Sequence, residues 1–386
     1  MDFGYDDDSK AFADSARALF ADYCSDDALR AHDAGEEPFM RGLWTQCVAT
    51  GLHGIVIDED AGGLGQGVAA LAAVLETQGQ ALALVPLADH QLAAAAIARF
   101  APAMAPTGLP ALAAGESLAT LALEGLHAAR GLALHARRDG NRLVLDGHAA
   151  AVPLGAQAVI ALLPAVLEGR PRLVAVSPQA DGVTRIEGRS QHHLAVADLQ
   201  FDGVRVGDDQ LLADEAVAWL EPRLIAATGA LQLGVSVGQL RRTVEYVSQR
   251  KQFGRVIGTF QLVAGQLADA QIAVEALRSA LAQLVYRLDA GLGALPQALA
   301  VKVLAERAAH LVGHKAQHVH GGMGVDITYP IHRYLYWSRW LAATLGGAAP
   351  TLERLGDWLA DHDQLGWKYD LPEDTGNLQG ASHALG

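Results

Sequence analysis

Along the chain, the spacing of apolar residues changes twice, and this order of patterns constrains the fold more than any single motif. From Asp8 to about Gly115 apolar residues recur at helical spacing, as in Val68–Leu75 and Leu92–Phe100. From about Ser117 to Leu212 the pattern is short runs of strand length: Gly131–Ala136, Leu143–Leu145, Val159–Leu163, Leu173–Val176 and Leu199–Val206. Asp-Gly pairs, a turn signal, punctuate that zone at Asp139-Gly140, Asp146-Gly147, Asp181-Gly182 and Asp202-Gly203. From Asp214 to about Asp361 the helical spacing returns in longer segments. A doubly wound α/β sheet needs strands and helices interleaved throughout, and this order argues against it. The expectation is an α+β fold with an all-α domain over 1–115, a β domain over 116–213, a helical domain over 214–365, and a flexible tail over 366–386.

Composition narrows the function classes. The 386 residues are 51% hydrophobic, enough core for two or three domains. Lys and Arg total 29 against 43 Asp and Glu, a formal net charge of -14, so a nucleic-acid partner is not expected, although a local basic cluster can still take a phosphorylated cofactor. Cys24 and Cys47 form no CxxC, which fits a reducing cytoplasm. The acidic start MDFGYDDDSKAF has no secretion signal, and stretches such as that from Val159 to Leu167 are too short to span a membrane. His310, His314 and His318 share one helix face, but Leu311 stands where HExxH needs its glutamate, so an interface face is expected rather than a metal site. Gly62 to Gly67 follows an apolar Ile55-Val56-Ile57 but misses the GxGxxG spacing, and reads as a loop between helices.

Two stretches carry chemistry. In Arg250-Lys251-Gln252-Phe253-Gly254-Arg255 a long helical segment from Glu221 ends, with Gly254 suited to a left-handed cap and Arg250 in the last turn. A guanidinium beside an aromatic ring and an amide suits a ligand with phosphates and a flat ring. Downstream, Gln317-His318-Val319-His320-Gly321-Gly322-Met323-Gly324 offers glycines whose backbone amides a ligand can approach closely.

Together, in this order, the two stretches resemble the acyl-CoA dehydrogenase family. Ile57 to Gly65 is similar to its "PEEyGGlG" loop, Phe201 to Val206 to the end of its β domain, and Pro330-Ile331-His332-Arg333-Tyr334 to its "PvERly". The resemblance implies an N-terminal helical domain, a middle β-barrel domain and a C-terminal four-helix bundle. It implies FAD shared across a subunit interface, with ADP-side contacts from Arg250, Gln252, Phe253, Gln261, Gly321 and Gly322. The family glutamine three places before the first glycine falls here on His318, with Gln317 displaced by one.

The resemblance breaks where the family does its chemistry. That reaction takes a proton from the α-carbon of an acyl-CoA and passes a β-hydride to the flavin, which needs a carboxylate base and a ring pocket. The usual base lies fifteen residues after the proline of "PvERly", and that position holds Leu345; the flavin-contacting threonine becomes Gly347. The alternative base position, 26 residues before Arg250, holds Leu224, with Glu221 as a weak displaced candidate beside Pro222 at a helix start. The "TEPgaGSD" segment is replaced by Leu123 to Arg130, the tryptophan beside the flavin by Ala150, and the arginine-aspartate pair by Tyr336-Trp337.

A chain that keeps only the ADP-side contacts resembles the degenerate subunit of bacterial steroid-degrading α2β2 dehydrogenases of this family. The expectation is a subunit of a FAD-dependent acyl-CoA dehydrogenase, with no catalytic base of its own. Its implied partners are a second acyl-CoA dehydrogenase subunit, an acyl-CoA substrate of bulky steroid type, and an electron-transfer acceptor. Two readings stay open: an autonomous homotetramer using a displaced carboxylate, and a redox-inactive member that binds or hydrates acyl-CoA.

Overall fold

The computed structural model describes residues 4–127 and 131–362. The tail over 366–386 and the replaced residues Ala128 to Arg130 lie outside them. The chain divides into two compact units that interleave in sequence: 30–71 with 84–224, and the residues up to 29 with 72–83 and those from 225 onward.

Six helices come first: α1 (Asp7–Tyr23), α2 (Asp26–Asp33), α3 (Arg41–Ala49), α4 (Val68–Ala81), α5 (Leu87–Phe100) and α6 (Ala105–Ala113). The Asp6 side chain caps α1 by accepting from the Ser9 amide at 2.7 Å, and Asp7 and Asp8 add negative charge to the first turn. The glycine-rich stretch from Gly62 falls between α3 and α4 with no strand before it, as the spacing required.

A seven-stranded sheet follows: β1 (Ala119–Leu121), β2 (Leu134–Asp139), β3 (Arg142–Pro153), β4 (Ile160–Leu167), β5 (Arg170–Val176), β6 (Val183–Arg189) and β7 (Ala195–Gly207). β4 runs parallel to both β1 and β2 and antiparallel to β5; the antiparallel chain β2-β3-β7-β6 completes the sheet. Leu134, Leu143, Leu163, Val174, Leu199 and Phe201, from five strands, belong to a single hydrophobic cluster, so the sheet curves around one core.

The four Asp-Gly pairs divide into turns and bulges. Asp139 pairs with Arg142 across a two-residue turn with Gly140 at φ 64°, and Asp181-Gly182 turns into β6. Asp146-Gly147 and Asp202-Gly203 instead lie within β3 and β7. There the buried series Ala197-Leu199-Phe201 changes phase to Val204-Val206. The ladder shifts register between Leu145 and Gly147, and Asp146 accepts the Gly203 amide at 2.8 Å. These glycines take positive φ to absorb an extra residue, which is bulge chemistry rather than a reversal.

The rest is α7 (Ala216–Gln249), a two-stranded hairpin β8 (Lys251–Gln252) and β9 (Arg255–Val256), α8 (Gln261–Asp289), α9 (Leu295–His320), α10 (Ile331–Ala343) and α11 (Ala348–Asp361). Ala270, Val274, Leu277, Leu281, Leu284 and Leu288 make one buried stripe on α8. A Cβ on Gly229 of α7 would press on Val301 of α9 and touch Leu281 of α8, and Gln232 of α7 donates to Ser338 of α10 at 3.1 Å. These contacts define the four-helix bundle of α7, α8, α9 and α10.

Candidate functional site

The residues expected to hold a cofactor gather at one end of this bundle, where α7 and α9 finish and α8 begins. α7 ends at Gln249, and the Arg250 amide closes it by donating to the Tyr246 carbonyl at 2.9 Å. Gly254 does not cap that helix as expected. Phe253 (φ 53°) and Gly254 (φ 78°) form the two-residue turn between β8 and β9. Two successive positive φ values match the twist of a tight hairpin. An aromatic residue bears the first of them at a cost, and its ring is 91% exposed. Phe260 stands edge-on to it at 6.2 Å and carries the Arg255 guanidinium 4.0 Å above its face. Arg250 and Gln252 are exposed, and Arg250 forms no ion pair among the described residues. Gln261 opens α8, exposed beside Leu262.

At the end of α9, His318 is exposed and its Nδ1 lies 3.1 Å from the Gln266 Oε1 of α8. His310 and His314 are exposed too, with their rings stacked at 6.1 Å. Gly321 ends the helix at φ 57°, and a Cβ on Gly321 or Gly322 would meet nothing within 4 Å among the described residues. A ligand can therefore reach this backbone. Gln317 packs against Gly324, and both its side-chain amide atoms are buried without a hydrogen-bond partner among the described residues. His320, which no sequence pattern singled out, is 3% exposed and stacks on Tyr246 at 4.3 Å, with Tyr329 at 5.5 Å. A cleft of about 400 Å³ opens beside this stack, lined by Arg242, Glu245, Tyr246, Gln249, Arg250 and Tyr329. Such a set (an uncommitted guanidinium, an open glycine backbone, orphaned buried amide atoms and an exposed ring) fits the phosphates and sugars of a dinucleotide.

The positions that the resemblance links to ring and base look different. Leu345 is 1% exposed and left-handed at φ 59°, followed by Gly346 and Gly347, also at positive φ. Lys302 holds the end of α10 there, donating to the Leu341 and Ala342 carbonyls at 3.1 and 3.0 Å. Leu224 and Trp337 are buried, Tyr336 half-buried. Glu221 is not a helix-start residue: α7 begins at Ala216 and takes Pro222 into its interior. The Glu221 carboxylate is buried and lies 2.9 Å from the Nε2 of His127, also buried.

Residues 6–116 match the acyl-CoA dehydrogenase N-terminal domain and residues 225–359 the acyl-CoA dehydrogenase C-terminal domain. The chain is 34% identical to the acyl-CoA dehydrogenase FadE27 of Mycobacterium tuberculosis over 88% of its own length and 93% of that protein. Among solved structures it is similar to a variant of the Tcur3481-Tcur3483 steroid ACAD, with TM-score 0.86 and 36% identity over 92% of this chain and 98% of that one. It is similar also to the ChsE4-ChsE5 complex of Mycobacterium tuberculosis, with TM-score 0.89 and 31% identity over 94% and 99%. The chain belongs to the acyl-CoA dehydrogenase family of flavoprotein oxidoreductases. Among the described residues no helix is long and apolar enough to cross a membrane.

Proposed function

We propose that this chain is the base-less subunit of a heteromeric acyl-CoA dehydrogenase and completes a FAD site whose ring belongs to a partner chain. FAD supplies a two-electron acceptor for the β-hydride of an acyl-CoA. Arg250 neutralises its pyrophosphate, Phe253 covers its ADP half, and Gln252, Gln261 and His318 hydrogen-bond that half. The amides of Gly321 and Gly322 line it. The carrying observation is the contrast between the two ends of the motif set. The ADP-side residues Arg250, Gln252, Phe253, Gln261 and His318 lie exposed, while the base positions hold buried Leu345 and Leu224. Leucine cannot take a proton, and Glu221 is already engaged by His127.

Of the similar structures, one is named as the Tcur3481-Tcur3483 steroid ACAD and another as the ChsE4-ChsE5 complex, each pairing two names. That supports a second subunit as the partner and a bulky steroid-type acyl-CoA as the substrate; an electron-transfer acceptor downstream and a cytoplasmic site of action complete the proposal. The test is to express the chain alone and together with candidate partner subunits, and to record visible spectra. Yellow protein only on co-expression, with about one FAD per heterodimer, is the expected result. Arg250→Ala should then lower FAD retention about tenfold, the effect of one charge-assisted contact. A chain that is yellow and active on its own would overturn the reading.

A further inference from the structure

The cofactor grip is built from two motifs far apart in sequence, and one side-chain stack joins them. Tyr246 lies one turn before Arg250, whose amide is tied to the Tyr246 carbonyl at 2.9 Å. His320 immediately precedes the Gly321 turn, and its ring lies on that of Tyr246 at 4.3 Å with 21° between the planes. Tyr329, on the far side of the turn, stands 5.5 Å from His320 and 6.2 Å from Tyr246. The residues before and after the turn are therefore both anchored to α7, the helix that Arg250 immediately follows.

We infer that His320 is a positioning residue, which through its stack on Tyr246 sets the distance between the Arg250 guanidinium and the amides of the glycine turn. A pyrophosphate that bonds both groups needs them at one spacing, and any looseness is lost from affinity as ordering entropy. The ring itself is fixed: its Nδ1–H donates to the Ala316 carbonyl at 2.8 Å, so Nε2 is the bare nitrogen, buried and without a partner among the described residues. Burial holds the imidazole below its usual pKa and thus neutral at pH 7, so the contact is ring on ring rather than cation on ring.

This inference rests on the shared-cofactor reading, and the experiment separates the two. In the co-expressed complex, FAD dissociation constants are measured by flavin fluorescence for His320→Ala, His320→Phe and Tyr246→Leu, and for His320→Ala combined with Arg250→Ala. Melting temperatures confirm folding. His320→Ala and Tyr246→Leu should each weaken FAD about tenfold, and His320→Phe, which keeps a ring, should stay within about threefold of the native complex. In the Arg250→Ala background, His320→Ala should cost less than about threefold more, because its effect runs through the same contact. If His320→Ala fails to fold, Tyr246→Leu carries the same expectation. Full additivity, or failure of phenylalanine to rescue, overturns the positioning role alone. An Arg250→Ala complex that holds FAD as tightly as the native one overturns the shared-cofactor reading and this inference with it.

Discussion

Asp89 and His90 are neighbours at the start of α5, and burial moves them in opposite directions. Desolvation, and then the charge of nearby Glu124, push Asp89 up from 3.8 to about 7. Desolvation, and then His53, push His90 down from 6.5 to about 3. His90 is satisfied as a neutral ring, giving its Nε2–H to the Leu112 carbonyl at 3.1 Å and accepting the Ala119 amide on Nδ1 at 3.2 Å. His192 is likewise pushed down to about 3 by burial. Between about pH 4 and 6.5 the unfolded chain therefore protonates each of these histidines while the folded chain does not, so both add stability as pH rises toward 6.5. Asp89 does the reverse: folded, it keeps a proton that the unfolded chain has lost, so its contribution is whole below 3.8 and is withdrawn as pH rises through 7. Asp89→Asn removes that opposing proton. Its unfolding free energy, from urea titrations at pH 4.5, 5.5 and 6.5, should climb more steeply than the native protein's by about 1.4 kcal/mol per pH unit. Equal slopes would show that Asp89 is ionised in the folded chain.

At the scale of the element, the β8–β9 hairpin presents the most exposed aromatic side chain of the candidate site on a strained turn. Phe253 occupies a left-handed position for which an L side chain costs about 1 kcal/mol, and asparagine or glycine is the favoured residue there. Phe253→Asn should therefore slow amide hydrogen exchange across the Lys251–Val256 pair while weakening FAD retention about tenfold in the complex. Faster exchange, or undiminished retention, would mean that the phenylalanine serves the hairpin and not the ligand. The motif around Arg250 was readable in sequence because residue types and order carry it, yet the hairpin was not. A single glycine is consistent with both a helix cap and a turn, and the second positive φ falls on a phenylalanine. β6 escaped for a different reason: Thr184 to Arg189 is exposed throughout, so its sequence has no apolar alternation to read. The Asp-Gly pairs announced positive φ correctly, but whether that makes a turn or a bulge is decided by the pairing strand. The Glu221–His127 pair and the Tyr246–His320 stack join residues distant in sequence, which periodicity cannot see.

At the scale of the whole molecule, the helical zone over 214–365 reads in sequence as a domain, but the compact unit that holds its residues from 225 onward also contains residues up to 29 and 72–83. The contacts explain why. A Cβ on Gly234 of α7 would collide with the Glu76 carbonyl of α4, and one on Gly79 of α4 with the Leu231 carbonyl of α7. The two helices therefore meet backbone to backbone, where side-chain adjustment cannot close a gap. Around that crossing, Arg278 pairs with Glu76 at 2.8 Å, and the Tyr334 hydroxyl donates to the Gln80 carbonyl at 3.1 Å. Arg242 forks onto Asp26 at 2.7 and 3.0 Å. A fragment of residues 214–365 loses every one of these partners and bares the glycine face of α7, whose small residues offer little area for collapse onto anything else. Each of these contacts is modest alone, but the apolar and backbone surface bared on α7 is burial that the fragment cannot replace, and a domain's net stability is small enough for that loss to decide folding. The fragment should keep helical far-ultraviolet dichroism but lack near-ultraviolet signal and bind a hydrophobic dye, while the full chain unfolds cooperatively. Cooperative unfolding of the fragment at the full chain's midpoint would mean that α4 and the N-terminal helices decorate the bundle rather than complete it.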